Sequence, residues 1–264
     1  MHIARYAGPD GVVNFGVIDN LGDEGIPSSE TTITQIDAHP FGSIDPIGKP
    51  IPFADVRLLA PILPSKIIAV GRNYAAHAAE MGNEVPPEPM IFLKPSTSVV
   101  GPGDRIDLPP QSDQVEHEAE LAIVIGRLCR EVPSNRVNDV IFGYTCANDV
   151  SARDLQKTDG QWGRAKGFDT FCPIGPWITT GLDASDLGIQ CRVNGELKQD
   201  SRTSLMVHGI AELVTWISNV MTLLPGDVII TGTPAGVSPL NDGDRVSVTI
   251  EGIGTLTNRV ALRD

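Results

Sequence analysis

The stretch Val115-Glu116-His117-Glu118-Ala119-Glu120-Leu121-Ala122-Ile123-Val124-Ile125-Gly126 decides how the chain is read. From Leu121 to Ile125 it is an apolar run rich in β-branched residues, closed by Gly126, which predicts a buried strand. Side chains alternate along a strand, so Glu116, Glu118 and Glu120 fall on one face. Taken alone, an E-x-E pattern reads as a solvated strand end. A second run changes the weighing. Phe142-Gly143-Tyr144-Thr145-Cys146-Ala147-Asn148-Asp149 is also strand-like and ends in a carboxylate. If the two strands are neighbours, Asp149 completes a set of hard oxygen donors. Oxygen donors without Cys or an obligatory His suit Mg²⁺ or Mn²⁺ rather than Zn²⁺.

The totals fit that picture. A chain of 264 residues, 41% hydrophobic, can bury a full core as one large domain or as a large and a small one. No apolar run approaches membrane-span length, and Met1-His2-Ile3-Ala4-Arg5 does not read as a signal peptide, so the expected location is the cytoplasm. Cys129, Cys146, Cys172 and Cys191 form no C-x-x-C pair and are expected as free thiols. The formal net charge of −13 argues against a nucleic-acid backbone or an anionic membrane as partner. A small anionic substrate stays open, because a metal ion and a few cations reverse the sign locally. The 27 glycines and 21 prolines suit short strands and tight turns.

In chain order, residues 1–60 read as a small β-rich segment, with a strand over 12–18 after the turn Pro9-Asp10-Gly11. Residues 66–71 form a strand stopped by glycine. A short helix follows, with Asn73 as N-cap and Gly82 as its stop. His77 and Glu80, three apart, share one face of it. A carboxylate beside an imidazole orients it and raises its basicity, as a general base requires, although an exposed surface pair has the same spacing. The polar, proline-rich residues 81–89 read as a lid or as a plain surface loop. Gly103-Asp104, Gly226-Asp227 and Gly243-Asp244 each introduce a strand. Ser134 is expected to cap a helix over 135–140, with Val137, Val140 and Ile141 on its apolar face. The clearest helix spans 208–223, with Ile210, Leu213, Val214, Ile217, Val220 and Met221 at helical spacing. Arg153 and Gln156 project together if a helical turn starts there; the alternative is an Arg153 ion pair with Asp149 or Asp154. Lys166, between Ala165 and Gly167, can approach a ligand closely. The loop Thr231-Gly232-Thr233-Pro234-Ala235-Gly236 lacks the spacing of a phosphate loop.

Read together, Gly71-Arg72-Asn73-Tyr74 with His77-x-x-Glu80, Phe92-Leu93-Lys94-Pro95, Glu118-Ala119-Glu120-Leu121, Asn148-Asp149-Val150-Ser151-Ala152-Arg153-Asp154-Leu155-Gln156, Ala165-Lys166-Gly167-Phe168-Asp169-Thr170 and Leu224-Pro225-Gly226-Asp227 resemble the fumarylacetoacetate hydrolase family from about residue 58 onward. The resemblance implies a mainly β protein with a few helices. Its fold would be a mixed β-sandwich roll, with a small N-terminal β-rich domain at 1–60 and a catalytic domain at 61–264. It implies Glu118, Glu120 and Asp149 as Mg²⁺ or Mn²⁺ ligands, with Glu116 outside that set. His77 and Glu80 match the dyad that activates water in hydrolytic members. Lys166 is expected to take part in catalysis, and Arg153 and Gln156 to line the substrate. Thr170 and Thr233 match positions near the substrate carboxylate or carbonyl. Gly167 departs from members that carry Ser there. The family is usually dimeric, so a homodimer is expected.

The expected activity is a metal-dependent cleavage or rearrangement of a small 2-oxo mono- or dicarboxylate through an enolate. Hydrolysis of an acylpyruvate, decarboxylation of an oxaloacetate-type acid and isomerisation of 2-hydroxyhepta-2,4-diene-1,7-dioate all remain open. A non-catalytic sandwich that binds a cation or a carboxylate is the reading from another class, and it has no use for a base at His77.

Overall fold

The computed structural model describes residues 1–22 and 25–263. Two sheets share one core. The larger runs, in spatial order, through Ile51–Pro52, Thr32–Gln35, Val13–Asp19, His2–Ala7, Cys172–Thr179, Ile141–Asn148, Ala119–Ile125, Val228–Ile230, Ile67–Gly71 and Met90–Lys94. The smaller runs through Glu196–Arg202, Gly188–Val193, Arg245–Ile250, Gly254–Leu262 and Arg105–Leu108. A two-stranded ribbon pairs Val115–Glu116 with Ser151–Ala152. The mainly β fold with few helices is the one the sequence predicts.

Strand Ala119–Ile125 is buried along its whole length. Alternation sends Leu121, Ile123 and Ile125 into the core shared with Ile189, Val246 and Val248 of the smaller sheet. Ala122 and Val124 turn the other way, onto Ile67, Ile174 and Val228. With both faces dry, residues 121–125 are apolar without interruption. Each fully buried aliphatic side chain contributes roughly 1.5–3 kcal/mol relative to an exposed one. The strand pairs antiparallel with Ile141–Asn148, with Ala119 opposite Asn148 and Glu120 opposite Ala147. This is the adjacency on which a carboxylate cluster depends.

The N-terminal strands extend the larger sheet at its edge, where His2 lies opposite Thr179 and Ile3 opposite Ile178. Each Gly-Asp pair is a tight turn into a strand. The glycines have φ of +77°, +88° and +86°, a region open to glycine and strained for other residues. Each aspartate accepts the backbone N–H of the residue three before it: Gly101 to Asp104 at 2.8 Å, Leu224 to Asp227 at 2.7 Å and Asn241 to Asp244 at 2.7 Å. The four cysteines are free and buried. Among the described residues no helix is long and apolar enough to cross a membrane.

Three helix expectations need correction. The segment expected to be α-helical at 135–140 is a 3₁₀ helix, Ser134–Asp139, whose cap position is Pro133, and Ser134 makes no capping bond. Only Val137 in it is buried, too small an apolar anchor for an amphipathic α-helix. Asn73 does not cap the helix Ala75–Glu80, which starts after Tyr74. Its amide is spent across the chain instead. Nδ2 donates to the carbonyls of His208 and Thr231, and Oδ1 accepts the His208 N–H. The long helix is trimmed to Ile210–Val220. Leu213, Val214 and Ile217 are buried as expected, but Val220, at its last position, is 55% exposed.

Ile123→Ala removes the centre of the central strand and should lower unfolding stability by about 2–5 kcal/mol, read as a lower urea midpoint at constant m-value.

Candidate metal centre and cleft

The backbone assembles the acids. Between the ribbon strand Val115–Glu116 and the central strand the chain steps from one sheet to the other, and Glu118 sits in the step. The Asp149 N–H donates to the Glu118 carbonyl at 2.9 Å, and the Glu118 N–H donates to Asn148 Oδ1 at 2.9 Å. These bonds lock the two strand ends together. Glu118, Glu120 and Asp149, all buried, each turn a carboxylate oxygen to one point, with all three oxygens within 4.8 Å of one another. Glu116, on the same sequence alternation, faces Arg153 instead, with Arg153 Nε 2.7 Å from its Oε2.

Buried like charges demand compensation. Lys166 Nζ donates to Glu118 Oε2 at 2.7 Å and to Asp149 Oδ2 at 2.8 Å. Arg153 reaches Glu118 Oε1 at 2.5 Å. Lys94 pairs with Asp149. The Gly232 N–H donates to Glu120 Oε2 at 2.7 Å. Gly232 has φ +95°, and a Cβ there would lie 2.7 Å from that of Asn73, so only glycine lets this loop come in. Burial alone raises the Glu118 carboxyl, but Lys166 and Arg153, with His77 adding to them, outweigh it and hold the pKa below the ordinary range. Glu120 goes the other way. Burial, then the charges of Asp149 and Glu118, push it well above the ordinary range. Lys166 is raised: burial lowers it, and Asp149 and Glu118 more than reverse that.

The acids form the floor of a cleft of about 270 Å³ that also takes in His77, Arg153, Gln156, Lys166 and Thr233. His77 Nδ1 is held by Glu80 Oε2 at 3.1 Å, and Glu80 Oε1 accepts the Gly236 N–H at 2.9 Å. The ring's other nitrogen is therefore the one left for chemistry. Gln156 accepts from Arg153 at 2.9 Å. Thr233 donates to the Ala119 carbonyl and accepts from the buried Gln199, which also receives the Ala119 N–H. Thr170 is not brought in. Its hydroxyl accepts the Asp107 N–H at 2.8 Å and its φ is +70°, so the turn that places it points its side chain to the smaller sheet. Arg153 pairs with Glu116 and Glu118, not with Asp149 or Asp154. From residues 81–89, Met81 and Asn83 border the cleft, and the Pro86 carbonyl lies 3.3 Å from His208 Nε2.

Other residues here carried no chemical reading in the sequence. Lys94 ends the strand Met90–Lys94 on the same face as Phe92, which lines the cleft; that alternation was the available signal. Tyr74 is 2% exposed, its hydroxyl has no hydrogen-bond partner among the described residues, and burial together with Glu120 raises its pKa. Arg72 and Trp162 form one wall. Arg72 takes φ +56°, a conformation that costs a non-glycine residue on the order of 1 kcal/mol.

The donor set fits a divalent cation. Three buried carboxylates converge, all ligating atoms are hard oxygens, and Glu120 is destabilised as an anion by its neighbours. A cation competes with a proton at Glu120, whose pKa is raised, so affinity should rise with pH. Calorimetric Mn²⁺ titrations in buffers of different ionisation enthalpy should show proton release that is smaller in Glu120→Gln, which should bind at least tenfold more weakly. Glu116→Gln, which reaches the site only through Arg153, should weaken Mn²⁺ binding less than Glu120→Gln does.

Comparison with known proteins adds the following. The family described as fumarylacetoacetate (FAA) hydrolase C-terminal matches residues 66–261, and that described as Rv2993c-like, N-terminal, matches residues 1–61. The chain is 59% identical over 263 residues to protein Rv2993c of Mycobacterium tuberculosis, covering 98% of each. It is 46% identical to the mitochondrial oxaloacetate tautomerase Fahd2a of Rattus norvegicus, over 80% of this chain and 71% of that one. Its structure is similar to that of 5-carboxymethyl-2-hydroxymuconate delta-isomerase from Mycobacterium smegmatis, with TM-score 0.92, 56% identity and all of each chain covered. It is also similar to maleylpyruvate hydrolase from Sphingobium sp. SYK-6, in complex with manganese (II) ion and pyruvate, with TM-score 0.79, 35% identity and all of each chain covered.

Proposed function

The chain belongs to the fumarylacetoacetate hydrolase family, and from that premise we propose that it is an isomerase that interconverts the keto and enol forms of a small 2-oxo acid. The observation that carries this reading is the meeting, in one cleft, of the buried acid triad with a histidine oriented by a carboxylate. The names of two similar proteins, a tautomerase and a delta-isomerase, support proton transfer as the reaction.

Glu118, Glu120 and Asp149 would hold Mg²⁺ or Mn²⁺. The chemistry such an ion supplies is Lewis-acid polarisation of the 2-oxo group, which favours the enolate. The chain's own residues do the rest. His77, fixed by Glu80 through Nδ1, takes the proton from the carbon next to the keto group with its other ring nitrogen and delivers it to the enolate oxygen, and in the reverse direction carries it back to that carbon. Lys166 keeps positive charge beside the site where negative charge develops. Thr233 and the Gly232 N–H fix the loop that closes over Glu120. A cation-binding sandwich without activity would have no use for the His77–Glu80 pair.

The same pair favours one second reading, hydrolysis of an acylpyruvate, in which His77 takes the proton from water. Spectrophotometric assays of oxaloacetate enol decay and of acylpyruvate cleavage, with Mn²⁺ present, separate the two. His77→Ala should slow the reaction by about 10²–10⁴-fold while Mn²⁺ affinity stays within a few-fold. Glu80→Gln, which keeps the ring but loses the charge behind it, should lose less. Wild-type rates in His77→Ala would remove the histidine from the mechanism.

A further inference from the structure

The cations of the cleft fall into two groups. Lys94, Lys166 and Arg153 are committed to Asp149, Glu118 and Glu116. Arg72 and Lys157 line the same cleft and form no ion pair with any described residue. Arg72 is the more built of the two. It follows Gly71, where a Cβ would lie 2.6 Å from Trp162 Cζ3, so the glycine admits the indole against the strand end. Arg72 Cζ lies 6.0 Å from the Trp162 ring centroid, and Trp162 stands edge-on to Phe92 at 5.2 Å. The left-handed backbone at Arg72 sends its side chain back over that aromatic wall. A guanidinium covered on one face keeps its N–H edges for a planar anion, the geometry that suits a bidentate carboxylate.

Resting on the isomerase reading for the reaction, we propose that Arg72, aided by Lys157, receives the second carboxylate of the substrate, which makes the cleft selective for 2-oxo dicarboxylates over 2-oxo monocarboxylates. The first carboxylate and the keto oxygen belong at the acid triad, and the unpaired cations of the wall supply the charge that only a dicarboxylate uses. A volume of about 270 Å³ suits a short-chain diacid.

The test compares oxaloacetate with 2-oxobutyrate, which replaces the distal carboxylate by a methyl group. Enolisation is followed with the Mn²⁺-loaded full chain as wild type, Arg72→Gln and Arg72→Lys. The wild type should prefer oxaloacetate. Arg72→Gln should raise KM for oxaloacetate by about 10–100-fold, as loss of a hydrogen-bonded charge does, with kcat within a few-fold and 2-oxobutyrate unaffected. Arg72→Lys should fall between. Equal losses on both substrates, or no loss on either, would overturn the proposal. If the wild type enolises neither acid, the isomerase reading fails, and titration calorimetry of the same two acids decides the role of Arg72. Tighter oxaloacetate binding that Arg72→Gln abolishes supports it, and equal binding of the two acids overturns it.

Discussion

Three carboxylates held within 4.8 Å of one another inside a protein repel, and the structure around them is arranged to bear that repulsion. Two lysines and an arginine reach them from three segments of the chain: Lys94 at the end of an outer strand, Arg153 at the start of a helix, and Lys166 in the next helix. Breaking one such buried pair leaves an uncompensated charge, which costs about 3–5 kcal/mol. The compensation is uneven. Burial raises both, but Lys166 and Arg153 bring Glu118 below the ordinary carboxylate range, while the charges of Asp149 and Glu118 push Glu120 further above it. A cation bound between the three would favour the anionic form of Glu120, the least compensated of them.

The scaffold makes this tolerable. The acids emerge from strands whose next residues are dry on both sides of the sheet, so the backbone that carries them has little freedom to relax. Gln199, fully buried and contributed by the smaller sheet, bonds the Ala119 N–H and Thr233 at once, tying the second sheet to the start of the strand that bears Glu120 and directly follows Glu118. Asn73, released from the capping role its position suggested, ties the His77 segment to His208 and to the Thr231 carbonyl beside Gly232. His77 and the acids are thus positioned by polar side chains anchored to backbone, while the apolar core fixes the backbone itself.

Much of this was legible in the sequence because it follows from period two and from local turn chemistry. The run at 121–125 and the strand-like run ending at Asp149 gave two strands, and their pairing is what the structure adds. The i,i+3 spacing gave the His77–Glu80 contact, and the Gly-Asp pairs gave turns. What escaped were the contacts that depend on which distant segments meet. Nothing local shows that Glu116 turns to Arg153 while Glu118 and Glu120 converge, because the break at His117 between the two strands sets it. Lys94 and Arg72 look like ordinary strand-end cations until Asp149 and Trp162 arrive from elsewhere. Thr170 was expected at the substrate through a motif, and a left-handed turn carries it to Asp107. The misread 3₁₀ segment and the overlong last helix are failures of short-range periodicity, where one buried residue or one terminal valine was given too much weight.

The central claim is that the carboxylates of Glu118, Glu120 and Asp149 form one cation site in the cleft that His77 faces. Anomalous scattering from a crystal grown with Mn²⁺ tests it most directly. One strong peak within coordination distance of an oxygen from each of the three residues, with Glu116 still paired to Arg153, is the expected result. A map with no peak between these carboxylates, or with manganese bound only elsewhere on the chain, would contradict it.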